Sequence, residues 1–154
     1  MAVALIAPTP LSAQGPATTI ALAITGIKAK LYFPETGDFS QDMLADPNLD
    51  LWNTIIGAGW AQRPSNATLV LVEISGKGDA GSRPVSVELT VTDARNGGVK
   101  LRRRSSLGFS EGNKPQEAFW IYDTGCEPLI LRARLIGQAA PSTVKKKIPF
   151  RCGE

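Results

Sequence analysis

The sequence predicts an all-β fold: an immunoglobulin-like two-sheet antiparallel sandwich of about seven strands, with a long 34–66 insertion carrying one or two short helical turns. Three observations predict it. Apolar and polar residues alternate with period two in run after run. Fifteen glycines and eleven prolines are spread along the chain, as tight turns between many strands require. Outside residues 34–66 there is no helical periodicity of core-building length.

The elements follow in order. Thr18 to Phe33 reads as a strand, with Ile27, Ala29 and Leu31 alternating with Lys28, Lys30 and Tyr32. Between Phe33 and Asn66, Leu49, Trp52, Ile55 and Ile56 fall at helix spacing, Asn48 can cap the start and Gly57 the end. Ala67 to Ile74 is almost wholly apolar, as in a central strand covered on both faces. Val85, Val87, Leu89 and Val91 alternate with Ser86, Glu88, Thr90 and Thr92, the pattern of a half-exposed strand. Asn96-Gly97-Gly98 signals a hairpin turn, because Asn-Gly supplies two residues tolerant of positive φ. It leads into a basic strand, Val99 to Arg104. Glu117 to Tyr122 is a strand rich in aromatics, and Leu129 to Ile136 and Val144 to Phe150 complete the set. Lys146 is the exception on the apolar face of that last run.

Two cysteines, Cys126 and Cys152, bracket the terminal pair of strands. A hairpin joining them turns near residue 139, inside the turn-like segment Gly137 to Ser142. Cys152 is in phase with its strand's apolar face, whereas Cys126 is one residue out of phase with Leu129. A one-residue slip sends every side chain to the opposite face. A bridge therefore requires a bulge or break near Glu127-Pro128. The even count and intervening turn lead us to expect a disulfide, worth about 3–4 kcal/mol in the chain-entropy model.

At 154 residues the chain suits one domain. Residues 1–16 are read as a signal-peptide remnant or disordered tail, and 17–154 as a single sandwich. Met1 to Leu11 is apolar and Ser12-Ala13-Gln14 resembles a signal-peptidase site, though a positive n-region is missing. No run of 18 apolar residues follows, so no membrane span is expected. These features point to a secreted or periplasmic protein.

Several stretches imitate catalytic or binding motifs. Asp123-Thr124-Gly125 has the form of the aspartic-protease D-T-G, which needs a second carboxylate sharing one proton. Only 29 residues follow Gly125, so the triplet is read as a strand end and turn. Gly76 to Gly81 fits G-x-G-x-x-G, but a strand rather than a helix follows, and the segment is read as a hairpin loop. Asp46, Asn48 and Asp50 match the opening of a calcium loop, with Glu35, Asp38 and Asp42 nearby. The sixth and twelfth positions are Leu51 and Gly57 instead of Gly and Glu.

Net charge is +3, unevenly placed: residues 1–95 hold 6 basic and 9 acidic side chains, and residues 96–154 hold 11 and 5. Lys100, Arg102, Arg103, Arg104, Arg132, Arg134, Lys145, Lys146 and Lys147 line one positive surface if their strands share a sheet. Lysine and arginine on strands also serve to discourage edge pairing. No aromatic residue is interleaved among these charges, so nucleic acid is not the expected ligand. The chain has no histidine, which removes Ser–His and Cys–His catalysis and the usual zinc sites. No cofactor is called for.

The leading expectation is a non-catalytic extracytoplasmic binding or assembly module with a protein or surface partner. The alternative is a binder of anionic polymer through strands 99–104, 129–136 and 144–151, using Lys100, Arg102, Arg103, Arg104, Arg132, Arg134, Lys145 and Lys147. A weaker third is a calcium-dependent module acting through the acidic 35–50 loop.

Overall fold

Each of the seven runs read as strands forms one, and three short strands join them. A computed structural model describes residues 21–46, 51–52, 65, 67–77, 84–108, 115–124 and 126–151. In chain order the strands are β1 Ala21–Phe33, β2 Asp38–Phe39, β3 Leu51–Trp52, β4 Ala67–Lys77, β5 Ser86–Asp93, β6 Val99–Ser106, β7 Gln116–Tyr122, β8 Leu129–Ile136, β9 Thr143–Ile148 and β10 Phe150–Arg151. Two four-stranded antiparallel sheets result, ordered β2-β1-β4-β7 and β6-β5-β8-β9. The short β3 and β10 pair in parallel.

One apolar cluster joins the facing sides of the two sheets, as in a β-sandwich. Val70, Val72 and Ile74 enter it from one sheet, and Val87, Leu89, Val91, Leu131 and Ala133 from the other. Strand β1 changes phase on the way. Leu22 and Ile24 are buried at even positions, then Ile27, Ala29, Leu31 and Phe33 at odd ones. The register shift between Ile24 and Gly26 makes this possible, since one extra residue turns the following side chains over. No helix among the described residues is long and apolar enough to cross a membrane.

The β5–β6 turn departs from the expected two-residue form. Gly97 has φ +75°, but Asn96 stays at negative φ. Asn96 instead uses its side-chain oxygen, which accepts from the Gly98 N–H at 2.7 Å. The Gly97 N–H donates to the Asp93 carbonyl at 2.9 Å, closing a longer loop.

The terminal hairpin turns within the predicted segment. Its ladder runs from Leu129↔Ile148 to Arg134↔Thr143 and stops where Pro128 and Pro149 flank it. Extended further, this register would set Cys126 opposite Arg151, one residue short of Cys152. The turn also ties the sheets together. Gln138 Nε2 donates to the Leu22 carbonyl at 2.9 Å, and Ser142 Oγ accepts from the Ile24 N–H at 2.9 Å.

Two expectations are corrected. Leu51–Trp52, placed by its spacing in a helix, is extended and paired with Phe150–Arg151. The rest of 47–64 lies outside the described residues, as do 1–20 and Cys152. The G-x-G-x-x-G segment does not close a hairpin, because β4 and β5 belong to different sheets. It is a crossing between layers, and residues 78–83 lie outside those described.

Candidate anion-binding face

The outer face of the β6-β5-β8-β9 sheet gathers the basic residues. Directly paired residues share a face, and inward Val87, Leu89 and Val91 leave Glu88, Thr90 and Thr92 pointing out. The ladders then set three rows across the sheet. The first is Arg104, Glu88, Arg134 and Thr143. The second is Arg102, Thr90, Arg132 and Lys145, and the third includes Thr92, Ile130 and Lys147.

Electrostatics differ between the rows. In the first, Glu88 is only 8% exposed and is held from both sides. Arg134 places Nε and Nη2 each 2.8 Å from Glu88 Oε1, and Arg104 Nη2 stands 3.7 Å from Oε2. The second row has no acid at all. Among the described residues Arg102, Arg132, Lys145 and Lys147 form no ion pair. Neighbouring strands lie about 4.8 Å apart, so Arg102 and Arg132 rise roughly 10 Å apart across Thr90 and can converge above its hydroxyl. A cavity of about 110 Å³ lies there, lined by Glu88, Thr90, Arg102, Arg132 and Arg134. Several unpaired donors around a hydroxyl suit a sulfate, phosphate or carboxylate group.

Six of the eight predicted anion-binding residues therefore share this face: Arg102, Arg104, Arg132, Arg134, Lys145 and Lys147. The other two do not. Arg103 pairs with Leu89, so it projects on the core side of edge strand β6, and Lys146, opposite Leu131, does the same on β9. Lys100 sits at the register shift beside Val91/Thr92 and pairs with Glu127. The spacing of basic residues alone missed Glu88 and Thr90, because they come from a strand between the basic ones. The outward phase of β5 was their only signal.

A second cleft, of about 470 Å³, lies at the end of the sandwich where β8 starts and β9 stops. It is lined in part by Arg95, Cys126, Glu127, Lys147, Phe150 and Arg151. Arg95 links Glu127 at 2.9 Å to Asp93 at 3.3 Å. The Arg95 guanidinium, followed by the Arg95 N–H at 2.8 Å, holds the Asp93 carboxyl below its usual range against the opposing effect of burial. This cluster is internally neutralised and anchors the β5–β6 turn.

The remaining motifs resolve into structure. Asp42 Oδ1 accepts from the N–H groups of Ala29 and Leu44 at 2.9 and 3.1 Å, binding the acidic loop to β1. Among the described residues no group of three or more acidic or cysteine side chains could hold a metal ion. Asn48 and Asp50 of the calcium-like run lie outside them. Asp123 follows the end of β7 at φ +55°, and Thr124 Oγ1 is 2.9 Å from Thr68 Oγ1, so Asp123-Thr124 closes a strand, while Gly125 lies outside the described residues.

The opposite sheet carries a face that the sequence reading did not single out. Tyr32, Phe39, Trp120 and Tyr122 form a chain of ring contacts with centroids 5.3–6.3 Å apart. Phe39 is 43% exposed, Trp120 38% and Tyr122 67%. Beneath them Leu69 and Leu71 are only half-buried. The unbroken apolar run of β4, read as covered on both faces, was the available signal. Set against known protein families and against curated proteins, the chain matches none.

Proposed function

We propose that this chain is a non-catalytic, extracytoplasmic binding module that holds an anionic polymer on the outer face of β6-β5-β8-β9. One observation carries the reading: the row Arg102, Thr90, Arg132, Lys145 spans the sheet with no acid in it, three cations that are unpaired among the described residues, and a cavity at its centre. Cations kept only to block edge pairing belong on edge strands. Arg132 and Arg134 instead stand on β8, between β5 and β9.

The test is a salt titration of binding to heparin and to polyphosphate. Four unpaired cations predict that log affinity falls with log salt at a slope of about −3. Absent or salt-independent binding to heparin, polyphosphate and acidic glycans would sink the proposal.

The immunoglobulin-like assignment is supported by connectivity. The orders β1-β4-β7 and β6-β5-β8-β9 correspond to strands A-B-E and C′-C-F-G of that architecture. An extracytoplasmic setting and a Cys126–Cys152 bridge are both part of the proposal. No cysteine among the described residues is a free thiol, and Cys126 lines the same cleft as Arg151, the residue before Cys152. Alkylation of the denatured protein should label neither cysteine before reduction and both after it.

A further inference from the structure

The geometry points to a second copy of this chain as the partner of edge strand β7, through antiparallel β7–β7 pairing about a two-fold axis. The inference goes beyond polymer binding and rests on a different sheet.

The backbone of β7 has one free side. Ile74 N–H donates to the Pro115 carbonyl at 3.1 Å, in the register that also pairs Val72 with Glu117 and Val70 with Phe119. Hydrogen-bonded pairs alternate in an antiparallel ladder, so residues 115, 117, 119 and 121 direct their backbone polar groups toward β4. Gln116, Ala118, Trp120 and Tyr122 direct theirs outward. Among the described residues no hydrogen bond reaches those outward groups.

The other edges carry protection that β7 lacks. Strand β2 is two residues long, β6 carries Lys100 and Arg102–Arg104, and β9 carries Lys145–Lys147. Short edges and edge cations discourage strand addition. Over seven residues β7 has no lysine, arginine or proline, and it borders the exposed rings of Trp120 and Tyr122.

Self-pairing fits its sequence. Centring the two-fold on Phe119 pairs all seven residues: Gln116 with Tyr122, Glu117 with Ile121, and Ala118 with Trp120 of the second copy. Outward-directed backbone groups then meet outward-directed ones. The bulky Trp120 lies across from the small Ala118, and Glu117 faces no like charge. The aromatic face becomes continuous across an eight-stranded sheet.

Sedimentation velocity across about 5–200 µM is expected to show twice the 16.4 kDa chain mass at the upper end. Ala118→Pro should weaken the dimer at least tenfold, a loss of about 1.4 kcal/mol. The Ala118 N–H points away from β4, so proline there spares the β4 ladder. Trp120→Lys places a guarding cation on the same edge without touching the core, and should weaken association similarly. Hydrogen exchange supplies a second readout: the Ala118, Trp120 and Tyr122 amides should gain protection as concentration rises. A monomer at 200 µM, or a dimer indifferent to both variants, overturns the inference.

Discussion

Replacing Arg102 and Arg132 together with glutamate is expected to lower affinity for heparin at least 100-fold near 0.1 M salt, a change of about 2.7 kcal/mol. Each reversal removes one cation beside the cavity over Thr90 and adds one anion, so the local charge falls by four. All of these groups lie within about 10 Å of one another, the screening length at that ionic strength. The fold should tolerate the change, because both side chains are exposed and neither holds an ion pair among the described residues. Surface substitutions of that kind cost about 0.5 kcal/mol or less each. The control uses the same sheet, on its edge strands β6 and β9. Arg103→Glu with Lys146→Glu alters net charge equally, but on the side facing Leu89 and Leu131. It should change affinity by no more than about threefold, through the long-range field alone. Equal losses in the two double variants would reduce the face to diffuse charge and remove the site.

What the sequence could carry was local. Alternation located β1, β5, β8 and β9, because one buried face per strand imposes period two, and the apolar run of β4, the turn signal before β6 and the aromatics of β7 located the rest. The segment Gly137 to Ser142 was legible as a turn from its Gly, Pro and Ser content. Sheet membership was not, because β1 pairs with β4 across the long 34–66 connection and β4 with β7 across two strands of the other sheet, which no local pattern encodes. That is why residues 76–81 passed for a hairpin. Strands β2 and β3 were invisible at two residues each. Trp52 shows a competing principle winning: its apolar spacing suits a helix, but the backbone of Phe150–Arg151 offers hydrogen bonds to an extended segment.

The candidate face was legible as charge and not as geometry. Six of eight predicted residues meet there because alternate positions on one strand share a face, and Arg103 fails for the same reason, as does Lys146, which is not one of the eight. Lys100 fails because the register shift beside Thr92 turns it toward Glu127. The two proposed surfaces also combine. A two-fold axis normal to the β2-β1-β4-β7 sheet leaves the basic faces of both copies pointing to one side. A long anionic chain could then engage both, and the second contact would be intramolecular, raising avidity without any new interaction.

Gly137→Ala is expected to destabilise the fold by about 3 kcal/mol, more than any other exposed-turn glycine described. Two effects coincide at this position. Its φ of +100° lies where side chains other than glycine are strained. A Cβ there would also stand 2.5 Å from the Pro84 carbonyl oxygen and 3.4 Å from Val85 Cα. That backbone cannot easily retreat. Val85 is fully buried and its carbonyl accepts from the Leu107 N–H at 2.9 Å. Pushing the turn outward instead would pull Gln138 from the Leu22 carbonyl and Ser142 from the Ile24 N–H, loosening the tie between sheets. Gly97→Ala isolates the conformational part: φ is +75°, but nothing lies within 4 Å of the new Cβ. It should cost about 1 kcal/mol. Urea unfolding with an unchanged m value reads both numbers directly. If the two variants lose the same stability to within about 0.5 kcal/mol, the close approach of Pro84 to the hairpin turn is not what holds Gly137 in place.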